Sequence, residues 1–253
     1  MSGNALTHDW PQPVEILNPA GVSPFVLTCE HASNHMPKEY AALGLPEAEL
    51  RRHIAWDIGA ADVTRHLSQL LDAPAFLSGY SRLLIDLNRP LVAPSSIPAI
   101  SETTRIAANE AISADERMRR ADLMFHPFHD TVSEHLDQRR DDGRPAIIIA
   151  VHSFTPVFKG FARPWHAGIL FSHSEASGQA LVKALGRDPD LVVAANEPYV
   201  ITREEDYTVP VHGEDRGLDA VLIEIRQDLL ETPEGCALWA RRLHAALASA
   251  FSG

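Results

Sequence analysis

The chain has 253 residues, of which 45% are apolar, enough for one large α/β domain or two small ones. Lys and Arg total 22 against 34 Asp and Glu, so the formal net charge is −12. This charge repels phosphate backbones and anionic lipid headgroups, and we expect neither nucleic acid nor a membrane surface as a partner.

Cysteine usage and the N-terminal sequence indicate the compartment. Cys29 and Cys236 are the two cysteines, too few for a disulfide framework. The first sixteen residues lack a basic segment followed by an apolar one, and no later stretch approaches 18 uninterrupted apolar residues. We therefore expect a cytoplasmic protein.

Short apolar runs predict a layered α/β fold. Four of them read as central strands buried on both faces: 24–29, 82–87, 145–154 and 220–226. Weaker strand candidates are 73–79, 166–172 and 190–198. Segments of helical period lie between the runs: 46–71, 113–139, 174–186 and 233–251. This alternation predicts one domain over residues 1–253 with a largely parallel sheet.

Two segments predict loops around a site. Residues 90–112 contain three prolines and many small polar residues, which is typical of a long loop over one end of the sheet and would suit a lid. Residues 196–217 are polar and carry Tyr199, Tyr207 and His212, which favours an active-site loop. A solvated loop without function is the alternative for this second segment.

Metal-ligand side chains close two of the predicted strands. His31 follows the run 24–29, and His152 lies at the end of the run 145–154. In open α/β sheets ligands bind beyond the carboxyl ends of the strands, so the two imidazoles should share a crevice. A catalytic zinc takes three protein ligands and keeps one position for water, whose pKa it lowers to about 7. The sequence therefore predicts a zinc site on His31 and His152.

The third ligand is a carboxylate with two candidates. Glu30 adjoins His31, but successive side chains of a strand point to opposite faces, so Glu30 and His31 could reach one ion only if the strand has already turned. We favour Asp57 in "HIAWDIGAAD". Asp57 could instead, or in addition, cap the helix that follows it.

Glu224 interrupts the apolar run "VLIEIRQDL". Burying a carboxylate is costly unless it is paired or placed at a site. A glutamate near an activated water can accept its proton and pass it to a leaving amine, so Glu224 is our candidate general base. A structural ion pair with Arg226, two residues on, is the alternative.

Arginines near strand ends predict carboxylate recognition. Guanidinium groups form bidentate bonds with carboxylates, and "SRLLIDLNRP" and "FARPWHAGIL" supply Arg82, Arg89 and Arg163. Arg82 or Asn88 could alternatively stabilise a developing oxyanion. The segment "HPFHDTVSEH" also offers His126, His129 and Glu134, but it lacks the HExxH order, and we interpret it as a solvated helix face.

Seven motifs together resemble the N-formylglutamate amidohydrolase family. In family order they are "CEHASNHMP", "AWDIGAAD", "SRLLIDLNRP", "VHSFTP", "RPWHAGIL", "NEPY" and "IEIRQDL", which span about residues 25–230. The resemblance, which extends to zinc carboxypeptidases and aspartoacylase-like hydrolases, implies a three-layer α/β fold with a mixed, largely parallel sheet and helices on both faces. It also implies metal-dependent cleavage of an N-acyl bond to an acidic amino acid.

By position, the resemblance assigns roles to individual residues. His31 and His152 match the two metal histidines, and Glu224 matches the general base. The segment 86–89 implies Asn88 and Arg89 as carboxylate ligands, with Arg82 beside the scissile carbonyl. Relatives with a His-x-x-Glu metal motif have glutamate where this chain has Asn34, and an amide is a poor zinc ligand, so Asp57 should supply the carboxylate.

The sequence thus predicts a zinc amidohydrolase of N-formylglutamate type, although imidazole and carboxylate ligands suit other divalent transition metals too. Its substrate would be a small acidic N-acyl amino acid. The residues expected to bind it are Asn88, Arg89, Arg163, Tyr199, His212 and Arg226. A zinc peptidase or cell-wall amidase and a non-catalytic binding protein are the alternatives, and the sequence leaves open a monomer or a homodimer.

Overall fold

A seven-stranded sheet forms the middle layer of the structure, a computed structural model in which residues 9–251 are described. Its strands lie in the order β1-β3-β2-β6-β11-β9-β10, and β4 with β5 and β7 with β8 form two small separate sheets. The strands are β1 Val14–Leu17, β2 Phe25–Cys29, β3 Ala75–Ser78, β4 Ile100–Ser101, β5 Thr104–Arg105, β6 Ile147–Phe154, β7 Val157–Phe158, β8 Phe161–Ala162, β9 Ala167–Leu170, β10 Val193–Ala195 and β11 Asp219–Arg226.

The sheet is mixed and mostly parallel. Strands β3, β2, β6 and β11 run parallel to one another in its centre. At one edge β1 is antiparallel to β3, and at the other β9 is antiparallel to β11 and parallel to β10. The register of the central pair places Glu224 of β11 directly beside His152 of β6.

Helices cover both faces of the sheet. They are α1 Glu47–Leu50, α2 Ala60–Leu71, α3 Ala107–Glu110, α4 Ala114–Arg120, α5 His126–Asp141, α6 Glu175–Leu185 and α7 Pro233–Ala250. A π-helical turn, Ala121–Phe125, joins α4 to α5. Further short turns are 3₁₀ at Lys38–Gly44, Pro94–Ser96, Glu214–Arg216 and Gln227–Leu229, and π-helical at Thr208–Gly213.

Two hydrophobic clusters lie on opposite faces of the sheet because side chains alternate along each strand. Ile149 and Val151 of β6 join apolar residues of α2, α6 and α7, whereas Ile148 and Ala150 join Phe128 and other residues of α5. The three-layer α/β fold is therefore confirmed. That residues 1–253 form one domain stays a prediction. No helix among residues 9–251 combines the length and apolar character needed to cross a membrane.

Three of the four predicted central strands are confirmed, but the assignment of 82–87 is wrong. This run is buried in the same cluster as Phe128 of α5 and does not join the sheet, in which β3 and β6 are the neighbours of β2. Side chains divert its backbone into turns: Ser81 Oγ accepts a bond from Leu83 N, and Asp86 Oδ1 accepts one from Asn88 N at 3.0 Å. Periodicity alone does not separate a buried strand from such a segment.

The three weaker strand predictions are confirmed as β3, β9 and β10. Strand β9 depends on Gly168, because a Cβ there would lie 1.6 Å from the carbonyl oxygen of Glu197. Glycine thus allows the chain around Glu197 to pass directly against β9, beside the strand that carries Glu224.

Helix α7 offers a test of how the hydrophobic cluster around Ile149 and Val151 is packed. Trp239 is 1% exposed within it, whereas the neighbouring Leu238 is 41% exposed. We expect Trp239→Ala to lower the free energy of unfolding by about 3 to 5 kcal/mol, because it removes a large buried side chain and leaves a cavity. Leu238→Ala, the control, should change it by less than about 0.5 kcal/mol. Denaturant unfolding measures both, and equal losses would contradict this packing.

Candidate metal centre and active-site cavity

Three side chains of metal-ligand type converge at the carboxyl end of the central strands. His152 Nδ1 lies 3.1 Å from His31 Nδ1 and 2.8 Å from Asp57 Oδ2, and His31 Nδ1 lies 3.3 Å from the same oxygen. All three residues are buried. Among the described residues, this is the group of His, Cys, Asp and Glu side chains arranged to hold a metal ion.

Local structure explains how the three residues meet. Strand β2 ends at Cys29, so Glu30 and His31 lie in the turn that follows it. The backbone N–H of Asp57 donates to the carbonyl of His31 at 2.9 Å, which holds the loop before α2 against that turn. His152 comes from the neighbouring β6. The predicted meeting of two imidazoles 121 residues apart is thus confirmed.

The carboxylate of Asp57 belongs to this cluster and does not cap α2. Its oxygens contact both histidines, the guanidinium of Arg82 and the backbone N–H of Ser153. Helix α2 begins at Ala60 after Gly59, and no side chain caps it. The capping alternative for Asp57 is therefore wrong.

The outer nitrogen of each histidine bonds to a buried carboxylate. His31 Nε2 lies 2.7 Å from Asp86 Oδ1, and His152 Nε2 lies 2.9 Å from Glu30 Oε2. An ionised carboxylate only accepts, so Nε2 of each ring carries the proton and Nδ1 faces the cluster. Metal-binding histidines are held in this way, with the outer N–H on a carboxylate. Glu30 therefore lies on the far side of His152, away from the position of a third ligand.

Sequence analysis missed the contact between Asp86 and His31. The sequence did contain a sign of this contact: "LIDLN" places the carboxylate of Asp86 within a buried apolar run. An unpaired carboxylate there would be costly.

The buried carboxylates stay ionised. Burial raises the pKa of Glu30, but the hydrogen bond and charge of His152 outweigh it and bring the pKa to about 2. Burial likewise raises the pKa of Asp86, while Arg82 and His31 hold it well below the ordinary value. For His152 burial lowers the pKa, yet Asp57 and Glu30 raise it well above the usual value. The ionised carboxylates therefore favour a positive charge on or between the two histidines, which a proton or a metal cation can supply.

A cavity of about 450 Å³ opens on the cluster. Both predicted loops contribute to its walls, through residues such as Ser101 and Glu102 of one and Tyr199 and Asp206 of the other. The predicted site residues that line it are His31, Asp57, Arg82, Asn88, Arg89, His152, Tyr199 and Glu224.

Glu224 faces this cavity with an unpaired oxygen. Its side chain is buried, and its Oε2 has no hydrogen-bond partner among the described residues. Burial raises its pKa to about 8, against the opposing effect of His152. The alternative ion pair with Arg226 does not form, because Arg226 bonds Asp228 at 2.8 Å. Glu224 is thus a buried carboxyl group with a raised pKa beside the cluster.

Two of the predicted arginines, Arg82 and Arg163, differ in their partners. Arg82 contacts Asp57 at 3.2 Å and Asp86 at 2.6 Å, so its charge is shared by two carboxylates. Arg163 forms no ion pair with any described residue; it packs against the rings of Phe158 and Tyr199, which line the cavity. A buried guanidinium without a carboxylate is suited to receive one from a ligand.

Asn88 and Arg89 line the cavity but also hold the loop opposite. Asn88 Oδ1 accepts the backbone N–H of Thr208 at 3.0 Å. Arg89 contacts Glu205 and Asp206. The roles of Asn88 and Arg89 in substrate binding stay predictions.

Three predicted substrate ligands, Arg163, His212 and Arg226, are not among the residues that line the cavity, and only Arg163 packs against lining residues. His212 is buried outside the cavity lining, with its Nε2 2.9 Å from Nδ1 of His129. Arg226 is bonded to Asp228 and also lies outside the lining. No contact supports a substrate role for either. The interpretation of 126–135 as a solvated helix face is wrong at His129, because that ring is buried beside Phe125 and Phe128.

Comparisons with known proteins agree with this architecture. A crystal structure of a gene product from Agrobacterium tumefaciens is 36% identical with a TM-score of 0.94, covering 98% of each chain. N-formylglutamate amidohydrolase from Ralstonia eutropha JMP134 is 18% identical with a TM-score of 0.69, covering 95% of this chain and 97% of that one, a likeness that shows the fold alone. No curated protein gives a significant match.

The family model of N-formylglutamate amidohydrolase matches residues 23–231. That range contains the His31, Asp57 and His152 cluster and the strand that carries Glu224. The resemblance seen in the sequence motifs is thereby confirmed. Because the match covers most of the chain, this protein belongs to the N-formylglutamate amidohydrolase family and is a hydrolase that acts on amide bonds.

Proposed function

We propose that the protein is a zinc-dependent amidohydrolase that removes a formyl-like acyl group from the nitrogen of an acidic amino acid, such as N-formylglutamate. One observation carries this proposal: a buried group of two histidines and an aspartate opens on a cavity whose wall holds the unpaired carboxylate of Glu224. A cytoplasmic location and a monomer or homodimer stay predictions of the sequence.

The residues present fit a divalent metal. Two atoms bonded to one tetrahedral zinc at about 2.1 Å lie roughly 3.4 Å apart. The Nδ1 atoms of His31 and His152 and the Oδ2 atom of Asp57 are separated by 2.8 to 3.3 Å. These three atoms would hold the ion, and imidazole with carboxylate suits Zn²⁺ among other transition metals. When bound, the metal polarises the acyl carbonyl and lowers the pKa of water.

Glu224 would move the protons of the reaction. Its side chain lines the cavity and its Oε2 has no partner among the described residues, and a general base must lie within hydrogen-bond reach of the water that it deprotonates. Having taken the proton as water attacks the acyl carbon, Glu224 would return it to the nitrogen of the departing amine. A carboxyl group with a pKa raised towards neutrality can serve both as base and as acid.

Arginines would bind the charged parts of the substrate. Arg82 lines the cavity and is fixed by Asp57 and Asp86, so it can donate to the oxygen that becomes negative during attack. Arg163 lacks an ion-pair partner within the described chain and lies beside the cavity-lining Tyr199. We assign it the substrate carboxylate, with Asn88 and Arg89 as further ligands.

Metal binding is the first test of the proposal. We expect the purified wild-type chain to bind one Zn²⁺. Loss of a residue that only hydrogen-bonds a metal ligand typically lowers metal affinity by roughly 10- to 100-fold. His152→Ala should lower the zinc affinity by more than this, because it removes a ligand itself. Isothermal titration and metal analysis after dialysis measure both. His126→Ala is the control, since this side chain is 49% exposed on α5. A His152→Ala protein that retains wild-type zinc affinity would contradict the site.

Glu224→Gln tests the general base. The zinc-loaded variant should hydrolyse N-formylglutamate about 100- to 10,000-fold more slowly while it still binds metal, because the amide cannot take a proton. Steady-state kinetics measure the loss, and Glu231→Gln, an exposed glutamate, is the control. A Glu224→Gln enzyme with the wild-type kcat would exclude this role.

The pH dependence of kcat/KM is a second test of Glu224 as the general base. Burial raises its pKa to about 8, and a bound cation nearby would lower it again. The base is active when ionised, so kcat/KM should fall as the pH falls through this pKa. The residual activity of Glu224→Gln should lack that decrease; the same acidic limb in both proteins would assign it to another group.

Arg163→Gln tests the carboxylate ligand. The variant should lose about 10- to 100-fold in kcat/KM for N-formylglutamate, mainly through KM, because a charge-assisted bond is worth about 1.5 to 3 kcal/mol. Arg226→Gln should change KM less, since the guanidinium of Arg226 is already bonded to Asp228 and to the backbone carbonyls of residues 163–165. If Arg226→Gln raised KM and Arg163→Gln did not, the assignment would be reversed.

A further inference from the structure

A hydrogen-bonded chain of three buried side chains ends at His152. Thr208 Oγ1 donates to Glu30 Oε1 at 2.6 Å, and Glu30 Oε2 accepts from His152 Nε2 at 2.9 Å. Thr208 and Glu30 are both fully buried. From this geometry we infer that Thr208 is a positioning residue for the metal ligand His152, acting through Glu30. The inference rests on the metal centre of the proposed function.

The burial of Glu30 makes the Thr208 hydroxyl necessary. A carboxylate in a dry interior needs a donor on each oxygen, because no water replaces a missing partner. Each oxygen of Glu30 has one such bond, to Thr208 or to His152. The buried hydroxyl of Thr28 also lies close enough to lower the pKa of Glu30, but the 2.6 Å bond from Thr208 is the contact that fixes Oε1. Without it, the carboxylate would no longer be held at the angle that orients the imidazole ring.

Thr208 is itself held at the start of the π-helical turn Thr208–Gly213. Its backbone N–H donates to Asn88 Oδ1 at 3.0 Å, which fixes the first residue of the turn. His212 lies in the same turn and bonds His129 of α5. The turn is therefore tied to its neighbours near both ends, and the Thr208 hydroxyl has a fixed direction.

The hydrogen bonds that hold this turn lead to one short segment of the chain, residues 86–88. Asn88 bonds Thr208 directly, and the carbonyl of Leu87 lies 2.8 Å from Nε2 of His129. Asp86, the first residue of the segment, bonds the outer nitrogen of His31. Residues 86–88 therefore orient both metal histidines, one directly through Asp86 and the other through Thr208 and Glu30.

The test compares the zinc affinity of Thr208→Val with that of wild type and Thr208→Ser. Valine keeps the shape of threonine without its hydroxyl, whereas serine keeps the hydroxyl. We expect Thr208→Val to bind Zn²⁺ about 10- to 100-fold more weakly, the usual effect of losing an outer partner, and Thr208→Ser to stay within roughly threefold of wild type. Competition with a chromophoric chelator measures these affinities on the full-length chain, and the visible spectrum of bound Co²⁺ reports the ligand geometry.

A matched substitution separates positioning from general stability. Thr131 on α5 donates its hydroxyl to the carbonyl of Pro127 at 2.6 Å, so Thr131→Val also deletes one internal hydrogen bond. Unfolding of the metal-free proteins should show a larger loss for Thr208→Val than for Thr131→Val, because Thr208 bonds a buried carboxylate and Thr131 a helix carbonyl. Only Thr208→Val should lose zinc affinity. A Thr208→Val protein with reduced stability and wild-type zinc affinity would overturn the inference.

A second pair of variants serves if Thr208→Val fails to fold. Thr208→Ala and Thr208→Ser both lack the methyl group, so their difference in zinc affinity isolates the hydroxyl. Equal affinities for the two would overturn the inference. A wild-type chain that binds no metal would refute the proposed function as well, whereas equal binding by wild type and Thr208→Val would refute only the role of Thr208.

Discussion

The parallel pairing of β6 with β2 on one side and β11 on the other is the interaction on which the site depends. It brings His31, at the end of β2, to His152 on β6, and it aligns Glu224 of β11 with His152. Parallel strands end at the same edge of a sheet, so their terminal side chains share one crevice. The helices on both faces bury these strands and keep that edge fixed.

The same edge concentrates charge in a dry environment. Glu30, Asp57 and Asp86 are buried and ionised, and each is bonded to a histidine of the cluster. Such a group is stable only if each carboxylate has donors or a cation beside it. Arg82 supplies part of the compensation through its contacts with Asp57 and Asp86. The demand for positive charge at the centre of the cluster is the physical basis for the proposed metal.

The segment 82–87 shows where sequence periodicity fails. Its apolar residues predict a central strand, and they are indeed buried, but hydrogen bonds to Ser81 and Asp86 turn the backbone away from the sheet. This irregular path brings Oδ1 of Asp86 to 2.7 Å from Nε2 of His31. His212 is a second case, since it lies in a polar loop of the sequence but is buried against His129.

By itself the sequence determined the layered α/β class, most of the central strands and the family resemblance, and it paired His31 with His152 while favouring Asp57 over Glu30 as their partner. These follow from apolar runs and from polar residues at their ends, which are local properties of the chain. Only the tertiary structure decided that Glu30 and Asp86 hold the histidines from outside, that Arg163 has no carboxylate partner within the described chain, and that Arg226 bonds Asp228. The bonds of Glu30 and Asp86 join residues distant in sequence, whereas Arg226 chooses between Glu224 and Asp228, each two positions away. Which of several chemically equivalent partners is chosen depends on the packing of the whole sheet and its loops.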